Sequence, residues 1–451
     1  MTRANLFTSN FKKYWKAILK VIAFLVILFL CNRLLWYLLV NDTSSYTRVT
    51  LHELYHQEKN VDVLFLGSSH TYRSLDPGIT DEIFETNTFN GGTSSQAWDG
   101  SYALLVEAGK HHDLKKVYLE MYYDVAGENY KERTQMTQTY IISDYMKPSV
   151  NRVSYLLNAS SWDYWINGFF PARRNWKKLF QRQYVSDLIA EKSQDSYKNY
   201  DYVGDPETEE EYYVGKGYVA NIKTKENGNF AHDEPFESAE RTFSEDDIRS
   251  LKKIIQYCKK HEIELVFFSA PMPDFRLAEI GNYDYYIQHV KEFLAEYDLP
   301  YYDFNLCRES YFSYDSSLFK DGDHLNAAGA EEFSKLFSEF FTGEISEEDL
   351  FYDSYEEKMN SIDDHFYGLF YHVENNEEGR KMTFDPIQNR EFDYYASVSK
   401  KVKGADQYEE IQSLGTLQEV ALPAEEEGKL MIRIFSDEEG KNMTNEIKIS
   451  Y

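Results

Sequence analysis

The chain has 451 residues, room for two or three domains at roughly 100–200 residues each. Hydrophobic residues make up 42%, enough to bury real cores, so wholesale disorder is excluded. Lys+Arg 48 against Asp+Glu 76 leaves a net charge of −28, and no basic field exists to displace phosphate counterions, which argues against a nucleic-acid partner.

Three cysteines, Cys31, Cys258 and Cys307, are too few and too scattered for a disulfide framework or a thiolate zinc site. Lys12, Lys13, Lys16 and Lys20 lead into an apolar run over 17–31, which resumes after Arg33 as 34–40. That length suits a bilayer core of about 30 Å. No small-residue cleavage site follows, so residues 1–41 read as a cytoplasmic tip and an uncleaved transmembrane anchor. The positive flank is N-terminal, so the expected topology is single-pass in the cell membrane, with a cytoplasmic N-terminus and an extracellular body.

Residues 42–60 predict a short amphipathic helix with Leu51, Leu54 and Tyr55 on its apolar side. The run 61–66 is a buried strand feeding a loop at Gly67. Helices are expected at 77–86 and 96–110, with a turn or short strand at 87–92 and a strand at 116–121. A long insertion follows, about 125–243. It is rich first in Trp162, Trp165, Trp176, Arg173 and Arg174, then acidic from Glu207 to Glu211. It reads as a helical cap over the active edge of the sheet plus a mobile acidic loop, with the arginines and tryptophans available either for a sugar phosphate or carbohydrate or for packing.

Ser244 opens a helix over 244–261 with acidic residues in its first turn. Strands at 264–268 and about 300–303 and helices at 284–297 and 327–341 complete an alternating α/β pattern with a parallel sheet. The α/β domain therefore covers 42–345. Beyond it, an acidic linker leads to strand-like runs at 368–373, 429–435 and 445–451, which predict a small all-β sandwich over 360–451.

Two motifs can carry chemistry. Gly67-Ser68-Ser69-His70 directly follows a buried strand, where parallel sheets place their ligands. Asp321-Gly322-Asp323-His324-Leu325-Asn326 lies between the last strand and the last helix. An Asp three residues before a His can orient the imidazole, which then serves as base for a hydroxyl nucleophile. A third pattern, His52-Glu53-Leu54-Tyr55-His56, matches the His-Glu-x-x-His zinc protease signature. It sits close to the membrane with no partner helix for a third ligand, and reads as the polar side of a stalk helix. His111-His112-Asp113 reads as a solvated helix end.

On these residues the chain resembles the SGNH/GDSL hydrolase superfamily over about 60–342. Gly67-Ser68-Ser69 is similar to its first block and Asp321-Gly322-Asp323-His324, with Asn326 and Gly329, to its last. The segment from Asn90-Gly91-Gly92 to Ser94-Ser95 resembles the second block. The resemblance implies a three-layer α/β/α fold, Ser69 as nucleophile, His324 as general base and Asp321 as its orienting carboxylate. It implies oxyanion or substrate contacts from Asn90, Gly92, Ser94 and Ser95. His70 reads as lining the pocket or hydrogen-bonding the turn, not as the base. The Asn of the third block is missing after Glu120, and Tyr123 or the Glu120 carboxyl is expected in its place. The nearest-looking branch is membrane-anchored and includes D-alanyl-lipoteichoic acid biosynthesis proteins and polysaccharide O-acetyltransferases. It implies an extracytoplasmic esterase or O-acyltransferase working on a cell-surface polysaccharide or teichoic acid, without cofactor or metal. A transferase would need a donor relayed by a membrane-bound acyltransferase partner. The competing expectation is a non-catalytic glycan-binding scaffold with a degenerate site.

Overall fold

The computed structural model describes residues 4–134, 136–201, 204, 209–224, 230–232, 241–376, 379–422 and 427–451. It forms two compact units, 1–57 with 129–213, and 58–128 with 214–451.

The first unit begins with helix α1 (Ala4–Leu39), whose stretch Tyr14–Leu39 is long and apolar enough to cross a membrane. Helix α2 (Tyr46–His56) follows, capped by the Ser45 side chain accepting from the Arg48 N–H. Its buried face carries Val49, Leu51 and Leu54. Asp42 is nearly fully buried between the Lys192 ammonium at 2.8 Å and Arg48 at 3.8 Å, so its charge is paired as burial requires. The insertion forms helices at Thr137–Ser143, Val150–Asn158, Trp162–Phe169 and Arg182–Lys192. Glu207 of the acidic run lies outside the described residues. Glu211 opens a strand, Glu211–Gly215.

The second unit holds a five-stranded parallel sheet. Its strands are β1 (Val63–Leu66), β2 (Thr88–Asn90), β3 (Lys116–Glu120), β4 (Glu264–Ser269) and β5 (Tyr301–Asp303), in the order β2-β1-β3-β4-β5. Phe65 registers with Tyr118, and Tyr118 with Val266. The central strands are buried on both faces, as parallel sheets require. Phe65, Tyr118, Phe268, Phe304 and Phe337 share one aromatic core. Asn60 and His112 tie the entry to β1 against the end of the helix Trp98–His111, with His112 Nδ1 accepting from the Val61 N–H at 3.3 Å.

The C-terminal strands form two four-stranded sheets around one core that includes Leu369, Met382, Val398, Leu430, Ile432 and Ile447. All their pairings are antiparallel but one. Phe230–His232, upstream of Ser244, runs parallel beside Phe366–Asn376.

Candidate active site

The turn after β1 positions Ser69. Ser68 caps helix α3 (Ser69–Ser74), its hydroxyl accepting from the His70 N–H at 3.2 Å. Ser69 is the first residue of that helix, where a backbone N–H has no intrahelical acceptor. Gly67 is required by close approach. A Cβ there would lie 2.1 Å from Thr71 Oγ1 and 2.4 Å from Glu120 Oε2. Those two atoms bond each other at 3.0 Å, and Glu120 Oε2 also accepts from the Ser68 N–H at 2.5 Å. Glu120 is buried at the end of β3, and burial pushes its carboxyl pKa up against the opposing pull of His70 and the Ser68 N–H. The acid thus braces the serine turn from below.

The Asp-Gly-Asp-His loop is built around one carboxylate. Asp321 Oδ1 accepts from the Asp323 N–H at 2.9 Å and the His324 N–H at 2.8 Å. The same oxygen lies 3.0 Å from His324 Nδ1, so Asp321 both shapes the loop and orients the ring. With Nδ1 donating to Asp321, His324 Nε2 faces Ser69 Oγ at 2.7 Å. Asn326 anchors the loop by accepting from the Gly329 N–H at 3.0 Å, which caps the helix Ala327–Thr342. Gly329 leaves room for the Leu318 carbonyl, which a Cβ would meet at 2.3 Å. Ser69, His324 and Asp321 therefore come together as a hydrogen-bonded triad. Burial lowers the pKa of His324, against the pull of Asp321, which favours the neutral base. Burial would raise that of Asp321, but bonds from His324 and Lys320 hold it well below the usual carboxylate range.

A second acid–base pair lies behind the first. The His70 ring stacks on His324, centroids 4.6 Å apart, and on Tyr122 at 4.1 Å. His70 Nε2 stands 3.3 Å from Asp323 Oδ2. Burial alone would lower the His70 pKa, yet the Asp323 carboxylate outweighs it and the net shift is upward. The Tyr122 hydroxyl lies 2.9 Å from Asp323 Oδ2 and 2.7 Å from Asp124 Oδ2, and Arg276 donates to Asp124 at 2.7 Å. His70 and Asp323 belong to the two motifs, whereas Tyr122, Asp124 and Arg276 belong to neither. Only the fold brings residues 70, 122, 124, 276 and 323 together.

Several expected contacts are placed differently. His70 is 1% exposed and lies behind His324, so it does not line an open pocket. Tyr123 packs in the core against Tyr286 and Tyr283, and its neighbour Tyr122 faces the site. The alternation of side chains around the short helical turn Tyr123–Val125 explains the swap. Asn90 spends its amide on the carbonyls of Thr71 and Leu75, at 2.8 and 2.9 Å, and its carbonyl oxygen takes the Gly92 N–H at 3.0 Å. Asn90 therefore holds α3 in place, and the Gly92 N–H is spent on Asn90 instead of facing an oxyanion. Gly92 also lets the Ser68 carbonyl approach, within 2.9 Å of where a Cβ would sit. Ser94 bonds the Tyr72 hydroxyl at 3.2 Å, and Ser95 is exposed at φ +48°.

Among the described residues, His70, Asp323 and His324 form the one His/Cys/Asp/Glu group close enough to share a metal ion. Both nitrogens of His324 are already committed to Ser69 and Asp321, and the two rings lie 23° from parallel. Stacked imidazoles direct their lone pairs side by side, a poor fit to the convergent ligands of a tetrahedral site. The His-Glu-x-x-His pattern on α2 fares no better. His52 is stacked between Tyr200 and His56, His56 Nδ1 bonds the His52 carbonyl at 2.7 Å, and the Tyr213 hydroxyl bonds Glu53.

A cavity of about 790 Å³ opens beside Asp321. Asp274, Glu309, Asp315 and Asp363 contribute carboxyls, and Tyr314, Tyr352 and Tyr367 contribute rings. Asp274 is paired with the buried Lys358 at 2.6 Å. Volume and mixed lining fall in the range of small-ligand sites. Compared with protein-family models and with curated proteins, the chain matches none.

Proposed function

We propose that this is a serine-dependent acyl-ester hydrolase or O-acyltransferase of the SGNH type, anchored by α1 and acting outside the membrane on a cell-surface glycan. The observation that carries the reading is the 2.7 Å contact between Ser69 Oγ and His324 Nε2, with Asp321 on the other ring nitrogen. His324 takes the Ser69 proton as the oxygen attacks an ester carbonyl, and Asp321 stabilises the imidazolium that forms. The Ser69 N–H, at the first position of α3 with no intrahelical acceptor, serves as an oxyanion donor. The protonated His324 then gives its proton to the leaving alcohol, and an acyl-Ser69 ester remains. Water resolving that ester makes an esterase, and a sugar hydroxyl makes a transferase.

The test is intact-mass labelling of the full chain in detergent with a fluorophosphonate. One adduct is expected, lost in Ser69→Ala and His324→Ala and kept in His56→Ala. A folded parent that takes no adduct would overturn the reading and favour a glycan-binding scaffold.

A further inference from the structure

Among the described residues outside α1, fourteen large hydrophobic side chains are exposed, and eight of them fall between Val150 and Phe180. Trp162 is 64% exposed, Trp176 55% and Phe180 76%. Such rings scattered singly would need no explanation, but a concentration of them marks an interaction surface. The charge pattern is as uneven. From Tyr164 to Ser186 there is no acidic residue, while Arg173, Arg174, Lys177, Lys178 and Arg182 are present, in a chain of net charge −28. Arg174 is neutralised by Asp144, but Arg173, Lys177 and Arg182 are exposed.

The location of this stretch decides its partner. It is pinned to the last two turns of α1, within the same compact unit. Asn32 Nδ2 donates to the Phe169 carbonyl at 3.2 Å, and Asn175 Nδ2 and the Tyr184 hydroxyl donate to the Leu39 carbonyl at 3.1 and 3.0 Å. About 20 helical residues cross a bilayer core, so a span that starts at Tyr14 leaves the core close to Arg33. The contacts at Asn32 and Leu39 therefore bracket the headgroup layer. Tryptophan side chains with a polar edge, and arginines and lysines beside them, are the side chains that settle at that depth.

We infer that residues 162–182 form a second membrane contact, lying in the headgroup layer at the exit of α1 with Trp162, Trp176 and Phe180 in the acyl boundary and Arg173, Lys177 and Arg182 on phospholipid phosphates. The inference rests on the reading of α1 as a transmembrane helix. It replaces the sugar-phosphate role open to these arginines and tryptophans from sequence, and gives the insertion an anchoring surface instead.

The test is fluorescence quenching of the full chain in nanodiscs whose phospholipids carry bromine in the acyl chains. Bromine quenches tryptophan only at close range. Removing Trp162 and Trp176 together as phenylalanines is expected to remove a clear share of the quenched emission, whereas Trp98→Phe, in the buried core, removes none of it. Stronger quenching is expected when the brominated lipid is phosphatidylglycerol than when it is phosphatidylcholine, and the difference should shrink in Lys177→Gln/Arg182→Gln. If Trp15→Phe/Trp36→Phe reduces quenching but Trp162→Phe/Trp176→Phe does not, the second contact is wrong and the span stands. If neither pair matters, the transmembrane reading itself fails. Efficient crosslinking of a photoreactive residue at 180 to a membrane protein in cells, with no quenching in nanodiscs, would also overturn the lipid contact and assign the surface to a protein.

Discussion

Two histidine–aspartate pairs lie ring against ring in this protein, and they are built for different work. His324–Asp321 stands at the cavity edge, with its outer nitrogen on a serine hydroxyl. His70–Asp323 is sealed behind it, with Tyr122 on its far side and Arg276 and Asp124 completing a charge network. The net pKa shift is downward for the front imidazole and upward for the rear one. A base must be neutral to accept a proton, while a buried cation needs a counter-ion. The same two residue types thus acquire opposite protonation preferences from their surroundings alone.

The largest expected effect comes from breaking the front pair. Asp321→Asn keeps the size of the side chain but removes the charge that stabilises the imidazolium and puts an amide NH2 in place of the Oδ2 that lies 3.2 Å from Nδ1, and comparable changes in serine hydrolases lower turnover about 10⁴-fold. The loop also leans on this carboxylate through two backbone N–H groups, which the Asn carbonyl can still accept. Steady-state ester turnover should therefore collapse while the thermal unfolding midpoint stays close to the parent. A loss of both together would mean that Asp321 is structural first. Turnover within a few fold of the parent would remove it from the triad.

The next effect is on stability, beneath Ser69. Glu120→Ala leaves the buried Ser68 N–H and the Thr71 hydroxyl without their acceptor, and an unsatisfied buried group costs about 1–3 kcal/mol. Glu120→Gln keeps an acceptor oxygen and removes the charge. Because the folded-state pKa of Glu120 is raised, its ionised form opposes folding. The stability tied to its proton is complete below the pKa of an unfolded carboxyl and is lost as pH rises through the folded value. At pH 7 Glu120→Gln should match or exceed the parent in denaturant melts, and it should flatten the pH dependence above pH 5. A Gln variant as unstable as Ala would show that the carboxylate charge, not the acceptor, holds the turn.

The contrast between the pairs also explains what could be read without coordinates. Val63–Leu66 and Glu264–Ser269 announce themselves as short apolar runs because parallel strands are covered on both faces. Asp321 and His324 are legible because they are neighbours on one tight loop. His70 and Asp323 stand in the same two motifs, but their pairing is not legible, since they are 253 residues apart, and Arg276, which completes their network with Tyr122 and Asp124, looks like an ordinary polar residue. The choice of Tyr123 over Tyr122 fails for a similar reason, as one residue of rotation at the end of β3 decides which ring meets His70. The runs at 368–373, 429–435 and 445–451 are strands as read, whereas Glu409–Gly415 hides because its half-exposed polar residues carry no apolar alternation. Phe230–His232 has only three residues, too short for any period to show.

The smallest effect is the sharpest probe of how the pairs communicate. Around His70 the titratable groups are Asp323, Glu120, Asp124, Tyr122 and His324. The charge on His70 lowers the pKa of His324, while Asp323 raises it. The rise of kcat/KM with pH should therefore have its midpoint below 6.5, the ordinary imidazole value. His70→Gln removes a lowering influence, so the midpoint should move up. Asp323→Asn acts twice. Without its counter-ion the buried His70 holds a proton less readily, which moves the midpoint up, but the raising pull of Asp323 on His324 is lost as well, which moves it down. The shift in Asp323→Asn should consequently be smaller than in His70→Gln, with both plateau rates reduced less than the hundredfold typical of a lost oxyanion donor. Equal shifts, or a downward shift in His70→Gln, would show that the rear pair holds the front ring by packing alone and contributes no charge to it.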